Sequence, residues 1–229
     1  MKLYYDPAST TCRPIVLFAA EHRLMLDYVH VDLFQGEHRG NAFLAVNPNG
    51  QVPVLEDGVF RLTESSAILK YLAEKLGSPA YPAELQARAR VNEALDWFNT
   101  NFYHDFGYGV VYAQVLPEYA RGDAAERAER LRWATERSKR RFDVLDGRLA
   151  ASEGPYLFGA EPGIADYFGG CLVGLGELVG FDLQPWPHVA AWFAALKALP
   201  GWNPTHAAFY GWRSMLNEQA KQGAASAAA

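Results

Sequence analysis

The sequence predicts an α/β domain followed by an all-α domain, and three observations support this prediction. Short apolar runs of strand type alternate with helical patterns in roughly the first third of the chain. Every longer apolar pattern beyond it has helical spacing. Between the two parts, residues 77–82 read Gly-Ser-Pro-Ala-Tyr-Pro, and glycine followed by prolines ends a helix. We expect an α/β domain over 1–77, a linker over 78–83, a helical domain over 84–221 and a disordered tail over 222–229.

Composition excludes several classes of function. The 229 residues are 50% hydrophobic and 21% charged, with a formal net charge of −5, which argues against nucleic acid or an anionic membrane as the main partner. Cys12 and Cys171 are far apart and match neither a metal-site spacing nor a disulfide framework, so we expect no metal. The first residues lack the pattern of a signal peptide, and no apolar run is long enough to span a membrane. We expect a cytoplasmic protein.

The first domain has seven predicted elements. The first helix begins near Cys12, because Pro14 suits a first helical turn. Asp57-Gly58 marks the turn of a hairpin. The elements are a strand at 2–5, the first helix, a strand at 28–31, a looser helix at 37–46, hairpin strands at 52–55 and 59–62, and a helix at 64–76. This βαβαββα order resembles the thioredoxin-like fold.

The hairpin and the following helix start carry features of a binding site. Pro53 cannot donate a ladder hydrogen bond, so its strand is an edge there or contains an unusual, cis peptide bond. Such an edge can pair with the peptide group of a ligand. Glu64 and Ser65 precede an apolar helical pattern, where free N–H groups favour a carboxylate. From the residues alone, an ordinary capped hairpin explains this stretch equally well.

The second domain reads as helices over 83–115, 123–150, 164–179, 189–199 and 207–219. The second of these has one apolar stripe among many charges, formed by Leu131, Ala134, Ser138, Phe142, Leu145 and Leu149. At the start of the third, Gly163 stands at the N-cap position, and Asp166 is the side chain able to reach back to a free amide.

Two segments resemble closely the glutathione-binding segment of the glutathione transferase family: NPNGQVPVLEDG at 47–58 and LTESSAILKYL at 62–72. The resemblance extends over nearly the whole chain. It implies that Val52 offers its backbone to the cysteinyl peptide of glutathione and that Pro53 is cis. It further implies that Gln51 helps at the glycyl end, and that Glu64 and Ser65 hold the γ-glutamyl end.

Ser9 is the residue expected to activate the thiol of glutathione. Ser9-Thr10-Thr11-Cys12-Arg13 is similar to the motif of serine-type transferases such as the theta class, in which a serine three residues before a Cys-Arg pair has this role. Lowering a thiol pKa from about 8.5 by two units requires about 2.7 kcal/mol. A charge-assisted hydrogen bond of about 1.5 to 3 kcal/mol, with about 0.3 to 1 from the helix dipole, is sufficient. The alternative from the residues alone is that Ser9 only caps the helix.

Thr10 is the rival to Ser9, because the beta class of the family places a catalytic cysteine at that position. The theta resemblance continues through residues 31–38, which implies that His38 reaches the glycine carboxylate of glutathione. Some serine-type relatives carry a second histidine where this chain has Gly50. The Asn-Pro-x-Gly-Gln-Val-Pro segment is closer to the beta and phi classes, so the class assignment is mixed.

Aromatic residues crowd the first long helix, which in the family lines the pocket of the electrophilic substrate. We expect Tyr103, Phe106 and Tyr108 to form an apolar wall there. His104 falls near a position at which beta-class enzymes place a histidine close to the thiol; the alternative is a solvated or dimer-facing histidine.

The resemblance therefore implies a cytosolic glutathione transferase that detoxifies small hydrophobic electrophiles, acts with glutathione as co-substrate and forms a homodimer. Phe43 is a candidate subunit contact. Two alternatives stay open at this point. One is a glutathione-dependent dehalogenase, isomerase or peroxidase on the same fold, and the other is a non-catalytic binding protein. The sequence does not identify the electrophile.

Overall fold

The computed structural model describes residues 1–120 and 122–227, with side chains up to residue 222. The first domain has the predicted order of elements and the thioredoxin-like arrangement of a four-stranded sheet with helices. Its elements are β1 (Lys2–Tyr5), α1 (Arg13–Glu21), β2 (Asp27–His30), a 3₁₀ turn (Glu37–Arg39), α2 (Asn41–Leu44), β3 (Val54–Asp57), β4 (Phe60–Leu62) and α3 (Ser65–Lys75).

The sheet has the order β2-β1-β3-β4, with β1 parallel to β2 and antiparallel to β3. Leu3 pairs with Leu55 at its centre, and both are fully buried. The core that contains them also holds residues of α1 and α3, among them Phe18 and Leu72. A smaller cluster contains Val54 and Phe43. Phe43 is 6% exposed, so it does not protrude as the predicted subunit contact.

The second domain is helical throughout its described elements. These are α4 (Leu85–Trp97), a continuation with wider, π-type winding (Phe98–Tyr112), α5 (Ala113–Val115), a 3₁₀ turn (Pro117–Tyr119), α6 (Ala124–Ala150), α7 (Ile164–Val173), a 3₁₀ turn (Gly174–Leu178), α8 (Pro187–Lys197) and α9 (Trp202–Ala227). On α6 the predicted stripe is buried except for Leu131, which is half-buried.

The last helix is longer than predicted at both ends. It begins at Trp202, which is fully buried, and Pro204 lies in its first turn, where no amide donor is needed. It extends to Ala227, so residues 222–227 of the predicted tail are helical, and 228–229 lie outside the described residues. The exact domain and linker limits stay predictions.

The two domains meet along α1. The Gly201 N–H donates to Glu21 Oε1 over 2.6 Å, and the Tyr112 hydroxyl donates to Thr10 Oγ1 over 2.8 Å. The Arg13 guanidinium is 1% exposed, and its carbon lies 4.0 Å from the centroid of the Phe209 ring. None of its three nitrogens has a hydrogen-bond partner within the described part of the chain. The helical domain therefore covers the turn that carries Ser9 and encloses a buried cation behind it.

Candidate active site

A cleft between the two domains encloses a cavity of about 1100 Å³. The α/β domain contributes the turn after β1, including Ser9 and Thr10, and the loop around His38. The contribution of the helical domain includes four tyrosines and one face of α9, namely Tyr103, Tyr108, Tyr112, Tyr119, Trp212, Met215, Leu216 and Gln219. The rings of Phe34 and Trp212 meet across the cleft with centroids 5.7 Å apart. The cavity is thus polar on one side and aromatic on the other.

Asp6 shapes the turn that carries Ser9. Its carboxylate is 2% exposed and accepts the amides of Ala8 at 2.7 Å and Leu33 at 3.1 Å. The Ser9 N–H donates to the Asp6 carbonyl at 3.1 Å. Asp6 also lines the cavity, but both of its carboxylate oxygens are engaged in holding the turn.

The Ser9 hydroxyl has a hydrogen that it can redirect. Its Oγ lies 3.2 Å from Thr11 Oγ1, and Thr11 donates its single hydroxyl hydrogen to the Val52 carbonyl at 3.2 Å. Ser9 must therefore be the donor to Thr11. Because Ser9 is only partly buried and lines the cavity, a ligand's sulfur can take the place of Thr11 as its acceptor.

Thr10 and Cys12 have different surroundings from Ser9. Thr10 is 5% exposed, and its oxygen accepts the Tyr112 hydroxyl from the helical domain. Cys12 is fully buried at the start of α1, and burial raises the pKa of its thiol to about 12. Cys12 is therefore a protonated, inert thiol at neutral pH.

His38 and Arg39 form the basic end of the cavity. Nδ1 of His38 is buried and has no partner among the described residues, and burial lowers the pKa of the ring. The exposed Arg39 lines the cavity beside it, although no motif in the sequence indicated a role for it. Because Nδ1 is buried, a ligand's carboxylate would reach the Arg39 guanidinium and the other ring nitrogen of His38.

Gln51 and Val52 line the same cavity, whereas Pro53 is buried behind them. The Val52–Pro53 peptide bond is cis. Strand β3 begins only at Val54, two residues later than predicted, because Pro53 has no N–H for the ladder.

The N-terminus of α3 lies outside the cavity wall. Glu64 is exposed, has a φ of 65°, and makes no side-chain hydrogen bond to cap the helix. Ser65 is 6% exposed. The next residue, Ser66, accepts a hydrogen bond from Asn99 Nδ2 at 3.3 Å, which links this helix start to the helical domain.

The predicted aromatic wall is only partly correct. Tyr103 and Tyr108 line the cavity, but Phe106 is fully buried in an aromatic cluster with Phe102 and Phe142. Tyr112 takes the place of Phe106 in the wall. The wider winding explains the difference, because i and i+5 then share a face, as Tyr103 and Tyr108 do. The five-residue spacing of these two tyrosines was the feature of the sequence that could have indicated the wider winding.

His104 does not face the cavity. Its side chain is 70% exposed, and its Nδ1 lies 3.0 Å from the carboxylate of Asp105, which also pairs with Arg137 and Arg141. Of the two alternatives for His104, its position agrees with a solvated or dimer-facing histidine and not with one close to the thiol. Within residues 1–120 and 122–227, no group of His, Cys, Asp and Glu is placed to hold a metal ion, and no helix is long and apolar enough to cross a membrane.

Comparisons with known proteins agree with this arrangement. The family model "Glutathione S-transferase, N-terminal domain" matches residues 1–74, and "Glutathione S-transferase, C-terminal domain" matches residues 112–200. Glutathione S-transferase theta-2 of Homo sapiens is 35% identical over 210 residues, which cover 88% of this chain and 82% of that protein. Glutathione S-transferase theta-1 of Bos taurus is 36% identical over 209 residues, with 88% and 84% covered.

Solved structures have the same fold. The crystal structure of human glutathione transferase theta-2 in complex with glutathione and an unknown ligand superposes with a TM-score of 0.81 at 32% identity, covering 96% of this chain and 90% of that one. A delta-class glutathione transferase of Nilaparvata lugens gives a TM-score of 0.79 at 29% identity, with 95% and 98% covered.

Proposed function

Because the chain belongs to the glutathione S-transferase family, we propose that Ser9 holds the sulfur of bound glutathione as a thiolate, which then attacks a small hydrophobic electrophile. The enzyme is a glutathione transferase, and glutathione is its co-substrate. The choice of Ser9, the other binding residues and the electrophile are our proposals.

The observation that carries the assignment of Ser9 is the difference between two neighbouring hydroxyls. Ser9 donates to Thr11, whose hydroxyl also bonds the Val52 carbonyl, so Ser9 can turn to a sulfur without leaving a buried group unpaired. The Thr10 oxygen is held as an acceptor by the Tyr112 hydroxyl, and Thr10 is 5% exposed, so its oxygen has less room than that of Ser9 to move towards a sulfur. A hydrogen bond from Ser9 to the thiolate supplies about 1.5 to 3 kcal/mol, enough to lower the thiol pKa by about one to two units.

The polar side of the cleft would hold the glycyl and cysteinyl groups of glutathione, and the start of α3, outside the cavity wall, would hold its γ-glutamyl end. His38 and Arg39 would bind the glycine carboxylate, with Gln51 beside them. The backbone of Val52 would pair with the cysteinyl peptide group. At the other end, the uncapped N-terminus of α3 at Ser65 would bind the γ-glutamyl carboxylate, and the Glu64 carboxylate its ammonium group.

The electrophile would occupy the aromatic side of the cleft. Tyr103, Tyr108 and Tyr112 form one wall, and Trp212 and Leu216 of α9 form the other. Excluding water there strengthens the interaction of Ser9 with the thiolate and leaves the sulfur poorly hydrated and reactive.

The decisive measurement is the ultraviolet absorbance of enzyme-bound glutathione thiolate as a function of pH. In the parent protein we expect a thiol pKa about one to two units below that of free glutathione. Ser9→Ala should return the pKa to near its free value, while glutathione still binds. The Ser9 assignment fails if this variant keeps the depressed pKa, and the transferase site itself fails if the parent never binds glutathione.

We also propose a cytoplasmic homodimer. Trp133 and Val144 on α6 are 55% and 43% exposed, so α6 presents apolar side chains that a second copy would cover. Sedimentation equilibrium of the parent and of Trp133→Glu tests this contact. A monomeric parent, or a variant that dimerises as tightly as the parent, contradicts it.

A further inference from the structure

Three buried hydroxyls form a continuous chain from the helical domain to the turn of Ser9. The Tyr112 hydroxyl donates to Thr10 Oγ1 over 2.8 Å, and the oxygens of Tyr103 and Tyr112 are 2.8 Å apart. Thr10, Tyr103 and Tyr112 are 5%, 8% and 8% exposed. A tyrosine has one hydroxyl hydrogen, and that of Tyr112 is given to Thr10, so Tyr103 must donate to Tyr112. The hydrogen bonds therefore all run in one direction, from Tyr103 through Tyr112 to Thr10.

The hydroxyl hydrogen of Thr10 is the free end of this chain. No acceptor for it is found within the described residues, although Thr10 lies in the wall of the cavity. A hydroxyl that accepts a hydrogen bond becomes a better donor, and the effect adds along a chain. Burial raises the pKa of both tyrosines, so they stay neutral hydroxyls at neutral pH. This series of hydrogen bonds thus makes the Thr10 hydroxyl a polarised donor to a molecule bound in the cavity.

Thr10 lies beside Ser9 in the cavity wall. Consecutive residues have Cα atoms about 3.8 Å apart, so one small substrate can contact both residues. In a displacement, the attacking sulfur and the departing group lie on opposite sides of the reacting carbon. We propose that Thr10 donates a hydrogen bond to the departing group of the electrophile, and that Tyr112 and Tyr103 are positioning residues that act through Thr10. This inference rests on the proposed role of Ser9.

Such a donor would stabilise the charge that develops in the chemical step. A lone pair of the thiolate forms the S–C bond, the C–X bond breaks, and its electron pair leaves on X as an anion. No proton is transferred, since the Thr10 hydroxyl keeps its hydrogen and only shares it with X. In a cavity with aromatic walls, a developing anion is poorly solvated, and a pre-placed donor lowers the barrier.

The test uses single-turnover rates with benzyl chloride, benzyl bromide and benzyl iodide at saturating glutathione. Chloride is the strongest hydrogen-bond acceptor of the three departing ions and iodide the weakest. We expect Thr10→Val to slow the reaction of benzyl chloride about tenfold or more and that of benzyl iodide less than about twofold. Thr10→Ser, which keeps the hydroxyl, should restore the parent rates, and the pKa of bound glutathione should not change in either variant.

Two further variants separate this role from packing. Thr205→Val removes a hydroxyl from another buried threonine, 7% exposed and outside the cavity wall, and should leave all three rates unchanged. Tyr112→Phe should show the same dependence on the halide as Thr10→Val, but weaker. The double variant should be no slower than Thr10→Val alone, because Tyr112 acts through Thr10.

Several outcomes would overturn the inference. A raised pKa of bound glutathione in Thr10→Val would make Thr10 a donor to sulfur instead. Equal slowing with all three halides, or no more slowing than in Thr205→Val, would leave Thr10 a packing residue. No reaction of the parent with any benzyl halide would also reject it. The role of Ser9 is judged separately, from the thiol pKa in Ser9→Ala.

Discussion

Two helix starts in this protein treat their free amides in opposite ways. At the start of α7, the Asp166 carboxylate accepts the amides of Gly163 and Leu157 and the indole N–H of Trp192, each at 2.8 Å. At the start of α3, the Glu64 side chain makes no capping hydrogen bond. The first arrangement is closed by the chain itself and serves folding. The second is open and suits a ligand's carboxylate.

The two helix starts also differ in the unfavourable free energy that each contains. Asp166 is fully buried, and burial raises the pKa of its carboxyl to about 6, although its three N–H donors act in the opposite direction. Glu64 has a φ of 65°, which costs a non-glycine residue about 1 to 3 kcal/mol. At the start of α7, three hydrogen bonds offset the free-energy cost of desolvating the Asp166 carboxylate. At the start of α3, no interaction within the protein offsets the backbone strain at Glu64, and only a bound ligand would do so.

Removing the carboxylate of the closed start should have the largest effect. Asp166→Ala leaves two buried donors and one partly buried donor without an acceptor, so we expect the free energy of unfolding to fall by about 3 to 5 kcal/mol. Urea unfolding at fixed protein concentration measures this. Asp166→Asn keeps one acceptor oxygen and should lose less. The thiol pKa of bound glutathione should not change in whatever fraction remains folded. A loss below about 1 kcal/mol would remove the distinction between the two starts.

At the open start, the equivalent change should affect binding and leave stability alone. Ser65→Ala removes a donor to the proposed γ-glutamyl carboxylate, and we expect the affinity for glutathione to fall about tenfold. Titration calorimetry gives the affinity, and the melting temperature without glutathione should stay within about 2 °C of that of the parent. Ser66→Ala is the matched control, because the Ser66 hydroxyl bonds Asn99 and not the ligand. Equal losses in both variants would contradict the assignment.

The smallest expected effect is the release of strain at Glu64. Glu64→Gly removes the steric cost of the positive φ but adds backbone entropy to the unfolded chain, so we expect a net gain of about 0.5 to 1 kcal/mol in the free energy of unfolding. Glu64→Ala keeps the strain and should show no such gain. Both variants lose the carboxylate and should bind glutathione more weakly. A stabilised glycine variant with unchanged affinity would show that Glu64 does not contact the ligand.

Much of this architecture could be predicted from local patterns. The βαβαββα order followed from strand and helix periods and from the break after residue 76, and the interaction of Asp166 with the Gly163 amide followed from their spacing. The different roles of the two helix starts could not be predicted in this way, since a polar residue at the N-cap position gives no cap by itself. Whether the side chain turns back to the amides depends on tertiary contacts, such as that of Trp192 with Asp166.

The aromatic wall could be predicted only in part, because its geometry depends on winding. A regular helix would not place Tyr103 and Tyr108 on one face, and the π-type winding does. Gly107 makes this possible, since a Cβ there would collide with the Tyr103 ring. The contributions of Trp212 and Leu216 come from a distant helix, and no local pattern links them to Ser9.

The burial of the Arg13 guanidinium, near the N-terminus, depends on Phe209 in the last helix. Arg13 leaves the ribosome almost at once, whereas Phe209, over which it stacks, follows about 200 residues later, which is about 10 to 40 s of synthesis. Until α9 arrives, the face of the guanidinium that Phe209 covers is open to water. Docking of the last helix must therefore strip that water, which makes it an expensive, late step in the maturation of the newly made protein. A chain released before Trp202 would keep Arg13 exposed and leave the cleft without its α9 wall.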